Sequence, residues 1–91
     1  MGEMRDVVKT ALRITHDKLN DEIDRLIETA KAELIRTGAD KETVGASGKL
    51  VTQAVITYCL MNLTENSNLI EKYQNAFELQ ADQIRRSRNV Q

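Results

Sequence analysis

The stretch "VGASGKL", residues 44–50, sets a lysine after a glycine and ahead of an apolar run, the ingredients of a phosphate-cradling loop. Such a loop needs a glycine five residues before the Gly-Lys pair and a hydroxyl directly after it. Those positions hold Thr43 and Leu50. No strand pattern precedes the loop either. The simpler reading is a helix start, with Ser47 as its cap.

His16 is the single histidine, in a polar turn beside Thr15 and Asp17. General acid–base work would need an oriented partner, and a metal would need further ligands. Cys59 is the single cysteine, inside an apolar segment with no base near it in sequence. It reads as a small core residue rather than a nucleophile, and one cysteine allows no internal disulfide. We therefore expect no catalytic residue, no metal site and no cofactor.

Charge is the richer feature. Asp17, Asp21, Asp24 and Glu28 recur at steps of three and four, so a helix would gather them on one face. Arg85, Arg86 and Arg88 form a cluster of opposite sign near the C-terminus. These seven residues are the candidate subunit or partner contacts. The plain alternative is a solvated face and a solvated tail.

The elements that must position them are all helical. Residues 3–13 form a short first helix, with Val7, Val8, Ala11, Leu12 and Ile14 as its apolar side. A second helix spans residues 17–37, with Leu19, Ile23, Leu26, Ile27, Ala30 and Leu34 in register and Gly38 closing it. Residues 38–48 are glycine-rich and read as a loop, with room for one helical turn at 40–44. The third helix, 47–63, is apolar on more than one side and is expected to be the buried centre. Asn68 and Glu71 have capping-box spacing ahead of an amphipathic fourth helix that reaches residue 86. Residues 86–91 are expected to fray. The expectation is an all-α, compact bundle of about four helices in a single domain spanning residues 1–91, with a glycine-rich loop between helices 2 and 3.

Composition narrows the partners. Net charge is −1 and aromatics are 3% of the chain, which supports neither charge-driven DNA binding nor base stacking. No run approaches the ~20 apolar residues of a membrane span. With no apolar signal core at the N-terminus and no disulfide, synthesis in a reducing cytoplasm is expected.

The order of segments, "VKTALRIT", "HDKLNDEID", "DRLIETAKAEL", "KLVTQAVITYCLMNLTEN" and "YQNAFELQADQIRRS", resembles the small head–tail connector proteins of tailed phages and prophages, also described as head-completion or putative DNA-packaging proteins. The resemblance is carried by Val8-Lys9 through Ile14, by Gln53-Ala54-Val55 to Tyr58, and by Phe77, Ile84 and Arg85. It departs from the family's usual text at "MNLTEN" and in a central loop without proline. It implies a non-enzymatic homo-oligomeric ring of about twelve copies, matching the portal's symmetry. The ring would sit in the virion between portal protein and a downstream tail-completion protein, and DNA would pass through it without sequence-specific binding. The alternative is a small helical regulatory module that binds DNA or a protein partner. Against it, the link between helices 2 and 3 is long for a helix-turn-helix.

Overall fold

The computed structural model describes residues 2–46 and 48–87. Among them are five helices and no strand: α1 (Gly2–Leu12), α2 (Asn20–Arg36), α3 (Lys41–Ala46), α4 (Lys49–Leu63) and α5 (Ser67–Ser87). The all-α expectation holds. The stretch expected to be a glycine-rich loop with room for one helical turn at 40–44 carries the six-residue helix α3. Asp40 starts it: its carboxylate accepts the Thr43 backbone N–H at 3.1 Å and the Thr43 hydroxyl at 3.2 Å. Val44 anchors the short helix by full burial. What remains between α2 and α4 is a few residues on either side of α3.

Helix α4 is the hub. Val51, Ala54, Val55, Thr57 and Cys59 are all buried, because α5, α2 and α1 each pack against it. A helix covered on several sides needs apolar residues around its circumference. Helix α2 contributes Ile23, Ile27, Ala30 and Leu34, and α5 contributes Phe77, Ala81 and Ile84. The molecule measures 39 × 30 × 18 Å.

Helix α1 buries a narrower stripe than its apolar residues suggest. Val8 is its buried anchor, and Met4 and Leu12 pack partly against the core. Those three lie one turn apart on one face. Val7 and Ala11, expected on the same side, face outward and are exposed.

The helix ends explain the remaining shifts in boundary. Helix α2 begins at Asn20 rather than Asp17, and the Asp17 carboxylate is held by Lys9 of α1. Neither Thr15 nor Asp17 caps it; Leu19 occupies the cap position without a side-chain bond. Ser47, the expected cap of α4, lies outside the described residues, and Gly48 stands at that helix's N-cap. Helix α5 is capped by Asn66, whose Oδ1 accepts the Asn68 N–H at 3.0 Å; the capping box expected at Asn68 and Glu71 does not form, since both lie inside the helix and Leu69 holds the third helical position.

Helices α1 and α2 close in the same way. Ile14 N–H reaches the Lys9 carbonyl at 2.9 Å and Arg13 N–H the Thr10 carbonyl at 3.1 Å. Ala39 N–H reaches Leu34, and Gly38 N–H reaches Ile35, each at 3.0 Å. Both are Schellman closures, which need one left-handed residue just past the helix. That residue is Gly38 (φ 114°) after α2 but Arg13 (φ 61°) after α1.

Candidate assembly surfaces

Of the four carboxylates expected on one face, Asp21, Asp24 and Glu28 lie on α2, and Asp17 lies in the turn before it. Asp24 takes a two-pronged contact from Arg5 of α1, with Nε to Oδ1 at 2.9 Å and Nη2 to Oδ2 at 2.5 Å. Paired N–H donors matched to a planar carboxylate fix orientation as well as charge. The Asp24 carboxyl is accordingly held below its ordinary range, first by the hydrogen bond from Arg5. Asp17 is lowered too, chiefly by Lys9, whose Nζ lies 2.9 Å from Asp17 Oδ1 and 2.8 Å from Asn20 Oδ1. Lys9 is only 13% exposed while Asp17 is 85% exposed, so the lysine end of this bridge is the ordered one. Asp21 and Glu28 remain exposed on the outer side of α2.

The arginines divide in the same way. The Arg85 guanidinium donates to the Thr37 carbonyl at 3.1 Å and also pairs with Asp82. It thereby places positive charge at the C-terminal end of α2, where unpaired carbonyls favour it. Arg86 reaches Asp82 at 3.0 Å and otherwise faces solvent. Arg88 lies outside the described residues. The fold thus brings Asp17 and Asp24 to α1 and Arg85 to the end of α2, and leaves Asp21, Glu28 and Arg86 outward. Sequence reasoning missed Arg5 and Lys9 as the partners of the carboxylates. Their signal was an i, i+4 pair of cations on a short helix, readable only once α1 is known to lie against α2.

A groove of about 380 Å³ runs between the end of α2, α4 and α5. Tyr58 and Phe77 form part of its wall, their ring centres 5.2 Å apart at 54°. Its rim alternates sign: Glu33 with Arg36 at 2.8 Å, then Asp82 with Arg85. Charges that already satisfy one another leave little field for an ionic ligand.

The residues first considered for chemistry are placed as follows. His16 is exposed, and its Nδ1 accepts the Lys18 backbone N–H at 3.2 Å. Cys59 is fully buried, and burial pushes its thiol up to about 11, away from the reactive thiolate. The Gly48-Lys49 step is preceded by helix α3, not by a strand. Among the described residues no group of three or more His, Cys, Asp or Glu side chains could hold a metal ion. Among them, too, no helix is long and apolar enough to cross a membrane.

Comparison of the chain with protein families, with curated proteins and with solved structures finds no match.

Proposed function

We propose that this protein is a structural adaptor of a tailed phage or prophage, a ring-forming connector between portal and tail. The observation that carries the reading is the order of its elements. A short helix and a polar turn lead into a long amphipathic helix; then come a connection that carries the six-residue α3, a central apolar helix and a long final helix. That order and the segments quoted above are where this chain resembles the connector proteins. A 91-residue domain is also of the size that gains most from association.

In this reading the chain acts by shape and position. Copies meet head to tail, because a ring needs two different complementary patches on each subunit rather than one self-complementary patch. An outer face that mixes Asp21, Arg25 and Glu28 would let DNA slide past, since a strongly basic wall would hold phosphates. The portal above and a tail-completion protein below would take the two rims.

The test is the mass of the purified chain by light scattering over a concentration series, with and without portal protein, and electron microscopy of large species. Closed rings of about twelve copies are expected. A protein that forms no ring even with portal protein present would overturn the reading.

A second reading is a regulatory module that docks α5 on nucleic acid. It is favoured by Gln74, Asn75 and Gln83, all exposed on α5. Glu71 and Glu78 on the same helix would face phosphates, which weighs against it. Sequence-selective DNA retention by a monomer or dimer would establish this module in place of the adaptor.

A further inference from the structure

The side-chain bonds of α1 reach past the connection that follows it. Arg5 Nε meets Asp24 Oδ1 at 2.9 Å, and Lys9 Nζ meets Asn20 Oδ1 at 2.8 Å and Asp17 Oδ1 at 2.9 Å. From Arg5 to Lys9 is one turn forward on α1; from Asp24 to Asn20 is one turn back on α2. The two helices therefore run antiparallel, and the two contacts fix their register. Between them sits Val8, fully buried, with Met4 and Leu12 one turn to either side and packed on the same core.

Among the described residues Val8 is the one buried core side chain that α1 supplies. The rest come from residue 23 onward, and α4 packs directly on both α2 and α5. Helix α1 is thus a plug in a socket made by α2 and α4. The socket is apolar at its centre, with Asp17, Asn20 and Asp24 along one edge.

The connection holds the one non-glycine residue of positive φ among the described residues, Arg13 at 61°. That conformation crowds its β-carbon and is required only while the chain turns back at the end of α1. Arg13, Thr15 and His16 are exposed. Asp17 already stays with α2, because its carbonyl accepts the Asn20 N–H at 3.3 Å. Straightening residues 13–16 carries α1 away from its own socket and relieves Arg13. The emptied socket, apolar with an acidic edge, then matches the α1 of another copy in shape, register and charge.

We infer that α1 is exchanged between copies: the α1 of one chain seats on the α2–α4 socket of another, with Arg5 on Asp24 and Lys9 on Asp17 and Asn20. Exchange of an identical element is a low-cost route to assembly, because every contact is one the single chain already makes. The giving helix and the receiving surface are different parts of the molecule, so copies can pass α1 on in one direction, as a ring requires. This deepens the adaptor reading; the ring rests on that reading, and the exchange is tested apart from it. Asp17 and Asp24 become contacts between copies, as expected from the sequence, but with Arg5 and Lys9 in place of the C-terminal arginines.

The test splits one charge pair between two full-length chains. One carries Arg5→Glu and the other Asp24→Arg, and both new side chains are good helix formers. Alone, each variant sets like charges together wherever its α1 docks, in its own chain or in another copy. Its concentration for half-assembly is expected to rise by about tenfold or more. In an equal mixture the new glutamate of one chain meets the new arginine of the other, and the original pair forms at the alternate joint. Mixed assemblies should therefore return near the wild-type concentration, with both chains seen in them by native mass spectrometry. Within a single chain the like charges remain, so only exchange restores the match. A chain carrying both changes should assemble as the wild type does, which shows that the fold tolerates them.

The hinge gives an independent readout. Arg13→Gly eases the closed turn and should raise the concentration for half-assembly roughly threefold, whereas Arg13→Val resists that turn and should lower it. Stability and assembly then move in opposite directions, which a purely structural turn would not produce.

A mixture that assembles no better than its two components, while the doubly changed chain assembles as wild type, would overturn the exchange. Should the doubly changed chain fail to assemble, the hinge variants decide, and assembly that follows their stability would overturn it. So would a wild type that stays monomeric to about 1 mM. Wild-type rings that persist through those results leave the adaptor standing. Only failure to form rings with portal protein present removes the adaptor reading itself.

Discussion

The side chain of Arg85 lies directly over the α-carbon of Gly38. A β-carbon on Gly38 would sit 2.9 Å from Arg85 Cδ, closer than real contacts allow. From that position the guanidinium reaches the Thr37 carbonyl at 3.1 Å, tying α5 to the end of α2 across 48 residues of sequence. Gly38 is thus constrained twice, by its positive φ and by the arginine stacked on it.

Gly38→Ala should cost about 1 kcal/mol from the left-handed backbone, with a further cost for displacing Arg85. Urea denaturation reads it directly. Arg85→Ala, which removes the obstruction but keeps the backbone strain, should make the alanine at 38 less costly than it is in the wild type. Strictly additive losses would mean that the two residues do not meet.

Arg13 offers the opposite experiment. It holds the same place after α1 that Gly38 holds after α2, with φ 61°, but carries a β-carbon. Arg13→Gly should stabilise the fold by about 0.5–1 kcal/mol, since the closure is kept and the steric penalty removed. Arg13→Val should destabilise by more than that, because a β-branched residue resists this conformation most. Thermal midpoints that move the other way would show that the turn relaxes when the side chain changes.

Acid should weaken the attachment of α1. The folded-state pKa values of Asp17 and Asp24 lie below their ordinary value of 3.8, each lowered first by a hydrogen bond from an α1 cation. A depressed carboxylate contributes stability that is present above the unfolded-state value and is lost as pH falls through the folded one. Stability should therefore decline as pH drops from about 4.5 through 3.8 and below, and Asp24→Asn should flatten that decline. Glu33, lowered by Arg36, adds to the same slope. Salt should shrink the effect, because all three carboxylates are near solvent.

The Cys59 thiol should be silent in the native protein. With the group fully buried and its pKa near 11, a disulfide reagent at pH 8 should react only as fast as the core opens. In denaturant it should react at the rate of an ordinary thiol. Prompt labelling of the folded protein would contradict the burial of α4.

Much of the framework was legible because periodicity carries it. The run Ile23, Ile27, Ala30, Leu34 is buried as its spacing requires, and the unstriped apolar content of α4 marks it as the centre. Helix α3 was legible only as room for one helical turn at 40–44. Three glycines within residues 38–48 signal a loop, and only Asp40 with Thr43 hints at a cap. The split of the charged face was not legible at all. Asp24 and Glu28 look alike in a helical repeat, and what separates them is Arg5, which lies nineteen positions from Asp24 and comes near only when the chain folds. Val7 and Val8 show the same limit: adjacent, chemically identical, and divided by which of them enters the core.

Because α1, α2 and α5 each lean on α4, the core has one keystone rather than a chain of pairwise contacts. The slowest amide exchange should fall in 49–63, and no fragment lacking that segment should hold a core. A protease cut in the 13–19 connection would detach a single leaf and spare the centre, whereas a cut at 64–66 would separate the keystone from its largest neighbour. Tolerance to breakage is therefore set by distance from one helix, and the two ends of the chain are not equivalent.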